Sequence, residues 1–329
     1  MVKKVSLKDI AQKIGVSTAL VSYVLSGNEE KGRVGKGTAE KIRQAAKELN
    51  YQPNHIAKSL KTGKTNTIGL IVADISNPFF ASIARGIEDE SGHFGLTTII
   101  GSSDESTEKL KNLVDVFIKR QVDGFIISPP DHSEETIEYI ISLGIPICLI
   151  DRHFEHVKSS YVITDNKESM QTAVSHLIEM GYKNLAFVAY KSSLQHMKDR
   201  EQGFLDASSA IQSKLYKINF SKQQQELGQV LEEILNGQKA DAIVFATNTL
   251  SVAGLKYLTQ KEIQIPKDLN VMCFDFSEVY DFFYHPIIHV KQPIEQLAKE
   301  SVIALTQQMK ENTIQKKVLN SELVAKTRA

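Results

Sequence analysis

From Thr67 onward, short β-branched runs alternate with amphipathic helical stretches, and that alternation restricts the chain to parallel sheets covered by helices on both faces. Apolar runs at Ile68–Val72, Leu96–Ile100, Gly124–Ser128 and Ile147–Ile150 are separated by helical spacing over Pro78–His93, Ser106–Arg120 and Ser133–Leu143. After Tyr161–Thr164 the pattern restarts. Runs at Leu185–Ala189, Leu215–Ile218, Ala242–Phe245 and Val271–Phe274 lie between helices predicted over Asn166–Met180, Lys198–Ile211, Lys222–Leu235 and Leu250–Lys261. Two successive sets imply two subdomains with a cleft between them, and in such sheets ligands bind beyond the carboxyl ends of the strands. The fold class is α/β: two doubly wound parallel-sheet subdomains behind a helical N-terminal domain.

That N-terminal stretch has its own logic. Ser6 is a suitable N-cap for a helix over Leu7–Ile14, with Asp9 favourably placed in its first turn. Gly15 stops the helix, and Ser17 caps a second one over Thr18–Leu25, whose Leu20, Val21, Val24 and Leu25 form an apolar stripe. So short a gap leaves room only for an angled helix-turn-helix pair, a motif that docks in a DNA major groove. A third amphipathic helix is predicted over Thr38–Leu49. Pro53 then interrupts, Asn54–Leu60 reads as a helix of under two turns, and Thr62–Asn66 reads as a linker. So short a helix is marginal alone, since nucleation is costly, and is expected to order only against a twin or DNA.

Charge supports the division. The chain is neutral overall, yet residues 1–66 carry 13 Lys and Arg against 5 Asp and Glu, leaving +8, while the rest carries 26 against 34, leaving −8. A basic head on an acidic body suits a polyanion-binding module joined to a part that does not touch DNA. No apolar run approaches the ~18 residues of a membrane span, and no apolar signal core opens the chain, so a cytoplasmic protein is expected. Cys148 and Cys273 sit in strand-like runs and read as buried inert thiols. No GxGxxG fingerprint follows a strand, and no His or Cys pair has metal-ligand spacing, so neither cofactor nor metal is expected. Gly32–Thr38 mimics a phosphate loop, but Gly37 follows Lys36 where Ser or Thr is required, and it follows a helix rather than a strand.

Ser6-Leu-Lys-Asp-Ile-Ala, Gly15-Val-Ser-Thr-Ala-Leu-Val-Ser, Asn50-Tyr-Gln-Pro-Asn, Ala57-Lys-Ser-Leu60 and Thr67-Ile-Gly-Leu-Ile-Val-Ala-Asp-Ile-Ser-Asn-Pro-Phe-Phe80 resemble the lactose/galactose repressor (LacI/GalR) family. The resemblance continues in order through Asp123-Gly-Phe-Ile-Ile, Gly144-Ile-Pro-Ile, Asp151-Arg152, His176-Leu-Ile-Glu-Met-Gly181, Arg200-Glu-Gln-Gly-Phe204, Phe274-Asp275 and Gln292-Pro293. It implies a helix-turn-helix domain over residues 1–50, a hinge helix and linker over 51–66, and a periplasmic-binding-protein-like core over 67–329. The first subdomain would take about 67–165 and 293–320, the second about 166–292, with the C-terminal tail crossing back. The implied function is that of a DNA-binding transcriptional regulator, a repressor and not an enzyme. As a homodimer it would read a near-palindromic operator under allosteric control by a small molecule, a sugar or sugar derivative.

On this reading Thr18, Ala19 and Tyr23 reach base edges, Ser17 and Ser22 bond phosphates, and Lys4, Lys36 and Lys58 add charge contacts. Asn54, Ala57 and Leu60 belong to the hinge, with Leu60 as a minor-groove wedge. Many members of the family carry arginine where this chain has Tyr23, so the usual operator sequence does not carry over. The implied effector site is Phe79, Phe80, Asp151, Arg152, Arg200, Phe220, Asn248 and Asp275. Carboxylates and planar guanidinium groups there suit vicinal hydroxyls, and aromatic faces suit a sugar or a base. Thr249 stands where the family usually has aspartate, and the loop from Tyr190 to Asp199 is its own. The alternatives are a nucleobase or other metabolite as effector, a solute-binding protein sharing the core fold, and an α/β enzyme. Residues 1–66 oppose the second, and the lack of a nucleophile–base arrangement opposes the third.

Overall fold

Capping fixes where the head's helices begin. In the computed structural model, which describes residues 5–52 and 63–325, the Ser6 hydroxyl accepts from the Asp9 N–H at 3.3 Å while the Ser6 N–H donates to the Asp9 carboxylate at 2.7 Å. This reciprocal cap opens α1 (Leu7–Ile14). Gly15, at φ 73°, closes the helix with its N–H on the Ala11 carbonyl, a conformation that a side chain would strain. Ser17 then accepts from the Leu20 N–H at 3.2 Å and starts α2 (Thr18–Leu25). α3 (Lys36–Glu48) follows, and Ile10, Val21, Val24 and Ile42 close a small core among the three.

Contacts divide the chain into two units, residues 1–65 and 66–329. The second unit holds two six-stranded sheets. The first part supplies β1 (Thr67–Val72), β2 (Thr97–Ser102), β3 (Gly124–Ile127), β4 (Ile147–Ile150) and β5 (Ser160–Thr164), with α4 (Pro78–His93), α5 (Thr107–Lys119) and α6 (Glu134–Ser142) between them. The second supplies β6 (Asn184–Tyr190), β7 (Gln212–Ile218), β8 (Ala242–Phe245), β9 (Asn270–Phe274) and β10 (Ile288–Lys291), with α7 (Asn166–Glu179), α8 (Gln195–Ser208), α9 (Gln223–Glu232) and α10 (Asn248–Gln260). Then α11 (Ile294–Glu311) packs back on the first sheet, β11 (Lys316–Leu319) joins it, and β12 (Glu322–Val324) joins the second.

The two sheets share one plan. Their orders are β2-β1-β3-β4-β5-β11 and β7-β6-β8-β9-β10-β12, parallel throughout except for the β10–β12 pair. Helices cover both faces, so central strands are buried on both sides. In β1, Ile68, Leu70 and Val72 pack with α4 and α11, and Ile71 packs with α5 and α6.

The three crossings between subdomains are bonded to one another. Thr164 donates its hydroxyl to Gln292 Oε1 at 2.7 Å, Asp165 N–H reaches the Leu319 carbonyl at 3.0 Å, and Ser321 N–H reaches Asp165 Oδ1 at 2.8 Å.

Two local expectations differ. The helix predicted over 222–235 is a 3-10 turn at Phe220–Lys222, then α9, then a widened π turn at Glu233–Gln238 that keeps Ile234 in the core. The helix predicted from Lys198 starts at Gln195, which brings His196 into it.

Candidate functional site

On the head, Val21 and Val24 lie in the core with Leu20 and Leu25 packed against it, so the remaining positions of the helix turn outward. Ser17, Thr18, Ala19 and Tyr23 are exposed along α2, with Tyr23 42 % exposed, and Ser22 is half-buried. Ser17 spends an acceptor lone pair on its cap and keeps its O–H donor. Lys36 is exposed at the first turn of α3. Lys4, Asn54, Ala57, Lys58 and Leu60, and with them the hinge helix, lie outside the described residues.

In the core, Asp151 and Asp275 are the first residues after β4 and β9, strands that hold the same place in the two sheet orders. Both adopt left-handed backbone, at φ 67° and 76°, a conformation uncommon for a non-glycine residue and concentrated at ligand sites. Both are buried. Each has an arginine beside it. Arg152 Nε lies 3.4 Å from Asp151 Oδ2, and Arg200 lies 3.9 Å from Asp275 Oδ2.

The arginines are anchored differently. Arg152 gives both terminal nitrogens to the two oxygens of Glu105 at 2.7 Å, adds the Pro129 carbonyl at 3.3 Å, and lies 5.6 Å from the Phe80 ring centre. Its Nε is buried without a hydrogen bond. Arg200 lies 3.7 Å over the Phe274 ring and donates to Asn166 Oδ1 and to the Ala246 carbonyl, each at 2.8 Å. Gly203 makes the Asn166 contact possible. A Cβ there would meet the Lys167 carbonyl at 2.3 Å, so only glycine lets α8 approach α7 this closely.

Further polar groups join the two subdomains. Asn248 Nδ2 donates to Asn77 Oδ1 at 2.8 Å. Gln292, at a crossing, donates to Asp275 and accepts from Thr164. Asp131 takes the Ser192 hydroxyl and the Ser193 N–H, each at 2.9 Å, while Leu194 packs into the core of the first subdomain. Burial works against ionisation of Asp131, but the serine donors outweigh it and hold the carboxyl below its ordinary range.

Electrostatics set the cluster apart. Burial pushes the Asp151 carboxyl up to about 6, against the pull of Arg152 and Arg200 and with the help of Asp275 and Glu105. Burial, then Arg152 and Arg200, hold the His196 imidazole well below its ordinary value, so the ring is neutral. His196 Nδ1 is buried and unpartnered, as is the Ser128 hydroxyl beyond the end of β3. Such orphaned groups call for a partner that the chain does not supply.

Of the residues expected at an effector site, Asp151, Arg152, Arg200 and Asp275 occur in this network, and Asn248 bonds Asn77 across the two subdomains. Phe79 and Phe80 belong to the core of the first subdomain, edge to face at 5.0 Å, and only Phe80 meets the network, under Arg152. Phe220 is 49 % exposed and lies edge-on to Tyr190 at 5.2 Å. Sequence reasoning missed Glu105, Asn77, Asn166, His196, Gln292 and Asp131. Asn77 had a signal, as a cap before Pro78, and Gln292 had one, in the Gln292-Pro293 motif at a subdomain boundary; the others had none.

Among the described residues no group of His, Cys, Asp and Glu is arranged to hold a metal ion, and no helix is long and apolar enough to cross a membrane. Cys148 and Cys273 are free and buried, and burial pushes both thiols up to about 12.

Two family descriptions match the chain: "Bacterial regulatory proteins, lacI family" over residues 6–54, and "Periplasmic binding proteins and sugar binding domain of LacI family" over residues 65–312. The HTH-type transcriptional regulator RegA of Clostridium saccharobutylicum is 31 % identical over 293 residues, 88 % of this chain and 87 % of that protein. The ribose operon repressor of Halalkalibacterium halodurans is 29 % identical across 94 % of this chain and 92 % of its own. A crystal structure of the lac repressor dimer bound to operator and the anti-inducer ONPF shares the fold, with a TM-score of 0.85, 22 % identity and 98 % of each chain covered. The chain belongs to the lacI family of bacterial regulatory proteins, transcriptional regulators with a helix-turn-helix head and an effector-binding core.

Proposed function

We propose that this regulator is a repressor whose affinity for a near-palindromic operator is set by a neutral polyhydroxylated effector, a sugar or sugar derivative, and that it acts as a homodimer. Thr18, Ala19 and Tyr23 would meet base edges, with Ser17, Ser22 and Lys36 on phosphates and the hinge residues up to Leu60 in the minor groove. The effector would lie among Asp151, Arg152, Arg200, Asn248 and Asp275, with Phe80 and Phe220 on its apolar side.

One observation carries the choice of effector. The buried cluster sets the cations of Arg152 and Arg200 against the carboxylates of Glu105, Asp151 and Asp275, with His196 neutral. Its charge is already balanced or slightly negative, so a phosphate group would enter unpaired at a cost of several kcal/mol, on the order of a lost buried ion partner. Vicinal hydroxyls can instead donate to the aspartates and accept from Arg152 Nε. A sugar also fits the description of the core's family and the name of the ribose operon repressor.

The test is calorimetric titration of the purified protein with neutral monosaccharides, their monophosphates and nucleobases. Each ligand is then added to the protein on an operator chosen by binding-site selection. Binding of a neutral sugar that alters operator affinity supports the proposal. A response only to a phosphorylated compound or only to a nucleobase overturns it.

A further inference from the structure

The loop between α2 and α3 is folded against the face that would read DNA. Asn28 N–H donates to the Tyr23 carbonyl at 2.8 Å, Gly32 N–H to the Asn28 carbonyl at 3.1 Å, and Val34 N–H to the Glu29 carbonyl at 3.0 Å. Arg43 of α3 pairs with Glu29 and ties the loop down from the other side. Gly32 lies flat against Tyr23. A Cβ on it would come within 2.8 Å of Tyr23 Cγ and Cδ2 and 2.9 Å of Tyr23 Cβ. Real Cβ atoms do not approach so closely, and two of these three atoms sit at the root of the side chain, where ring rotation relieves little.

The backbone gives no other reason for glycine here. Gly27, in the same loop, has φ +70°, but Gly32 lies outside the left-handed region and would admit any residue if space allowed. Space is therefore the requirement, and Tyr23 sets it. An aromatic side chain has two rotatable bonds, so a wall against one face leaves it few orientations.

We infer that Gly32 is a positioning residue for Tyr23: by seating one face of the ring it fixes how the exposed side meets DNA, and so shapes base preference without touching a base. The inference rests on the proposed role of Tyr23 as a reader of base edges.

Binding-site selection from random duplex DNA tests it, using full-length wild type, Tyr23→Ala, Gly32→Ala, the double variant and Gly35→Ala. Gly35 is the control, because a Cβ there meets nothing within 4 Å. Tyr23→Ala and Gly32→Ala are expected to relax preference at the same base pair of each half-site. Gly32→Ala should bind the wild-type operator about 10-fold more weakly with an unchanged salt slope, since phosphate contacts are untouched. Gly35→Ala should keep the wild-type preference. In the double variant the ring is gone and only the contact with the Cβ of residue 23, at 2.9 Å, remains, so its base preference should match that of Tyr23→Ala even if Gly32→Ala alone folds poorly.

A Gly32→Ala protein that loses affinity for every sequence equally and keeps the wild-type preference overturns the inference. So does a base preference in the double variant that differs from that of Tyr23→Ala. An unchanged preference in Tyr23→Ala overturns the reading of Tyr23 itself, and the inference with it.

Discussion

The proposed reading face of the head and the polar cluster of the core solve opposite problems. Thr18, Ala19 and Tyr23 stand exposed on α2 over a small apolar core that does not need them. Asp151, Arg152, Arg200 and Asp275 are buried, and each depends on the others for its charge balance. A surface laid on DNA is built from side chains that cost the fold little. A site that encloses a small molecule is built into the fold, because burying charge is tolerated only when it is paired. Substitutions should therefore separate the two regions: those in the core cluster should cost stability as well as ligand binding, and those on the reading face only DNA binding.

The largest effect is expected from Arg200→Met, which keeps volume but removes the cation beside Asp275 and the donors to Asn166 and Ala246. Denaturant melts should show a loss of about 3 kcal/mol. Calorimetry should show effector affinity down about 100-fold or more. Next comes the pH dependence of Asp151. Its folded value, about 6, lies above that of a free carboxyl, so the folded state holds the proton more tightly than the unfolded one. The associated stability is fully present below roughly pH 4 and is lost as pH rises through 6. Wild type minus Asp151→Asn should fall by about 2 kcal/mol over that window in denaturant melts. His196 acts the other way. Kept neutral in the fold, it removes stability as pH falls below its ordinary range, and it cancels because both proteins retain it.

Asp131→Ala should have a smaller effect, since it removes hydrogen bonds from Ser192 and Ser193 and leaves no buried charge behind. A stability loss of about 1 kcal/mol is expected, with effector affinity falling about 5-fold as the bridge between subdomains loosens. The smallest effect belongs to the head. Tyr23→Phe should leave melts unchanged within about 0.5 kcal/mol and weaken operator binding about 3-fold in an anisotropy titration. A large stability loss in Tyr23→Phe, or none in Arg200→Met, would break the contrast between the two regions.

The same contrast explains what the sequence disclosed. α1 and α2 were legible to the residue because caps and stripe are local, and the outward position of Tyr23 followed from helical spacing. Strand alternation likewise exposed two sheets. The buried partners of the cluster were not legible, because Glu105 reaches Arg152 across 47 residues and Asn77 reaches Asn248 across 171. Asp151 and Asp275 had a positional cue at strand ends, but their left-handed backbone appears only once the strands are in place. Phe79 shows the opposite case, since an aromatic pair at a helix start suits a core as well as a cleft, and of the two rings only Phe80 meets the cluster. The seat of Tyr23 on Gly32 was hidden too, because a glycine in a basic loop reads as a turn residue until the ring beside it is seen.

The central claim is that occupancy of the Asp151–Asp275 cluster sets the head's affinity for DNA. The most direct measurement is the operator dissociation constant of wild type and Arg200→Met across a concentration series of the neutral sugar that calorimetry identifies. Wild-type affinity should change at least about 10-fold, with its midpoint at the calorimetric affinity of the sugar, and the variant should not respond. An operator affinity that ignores a ligand bound in the cluster, or a variant that responds as wild type does, would contradict it.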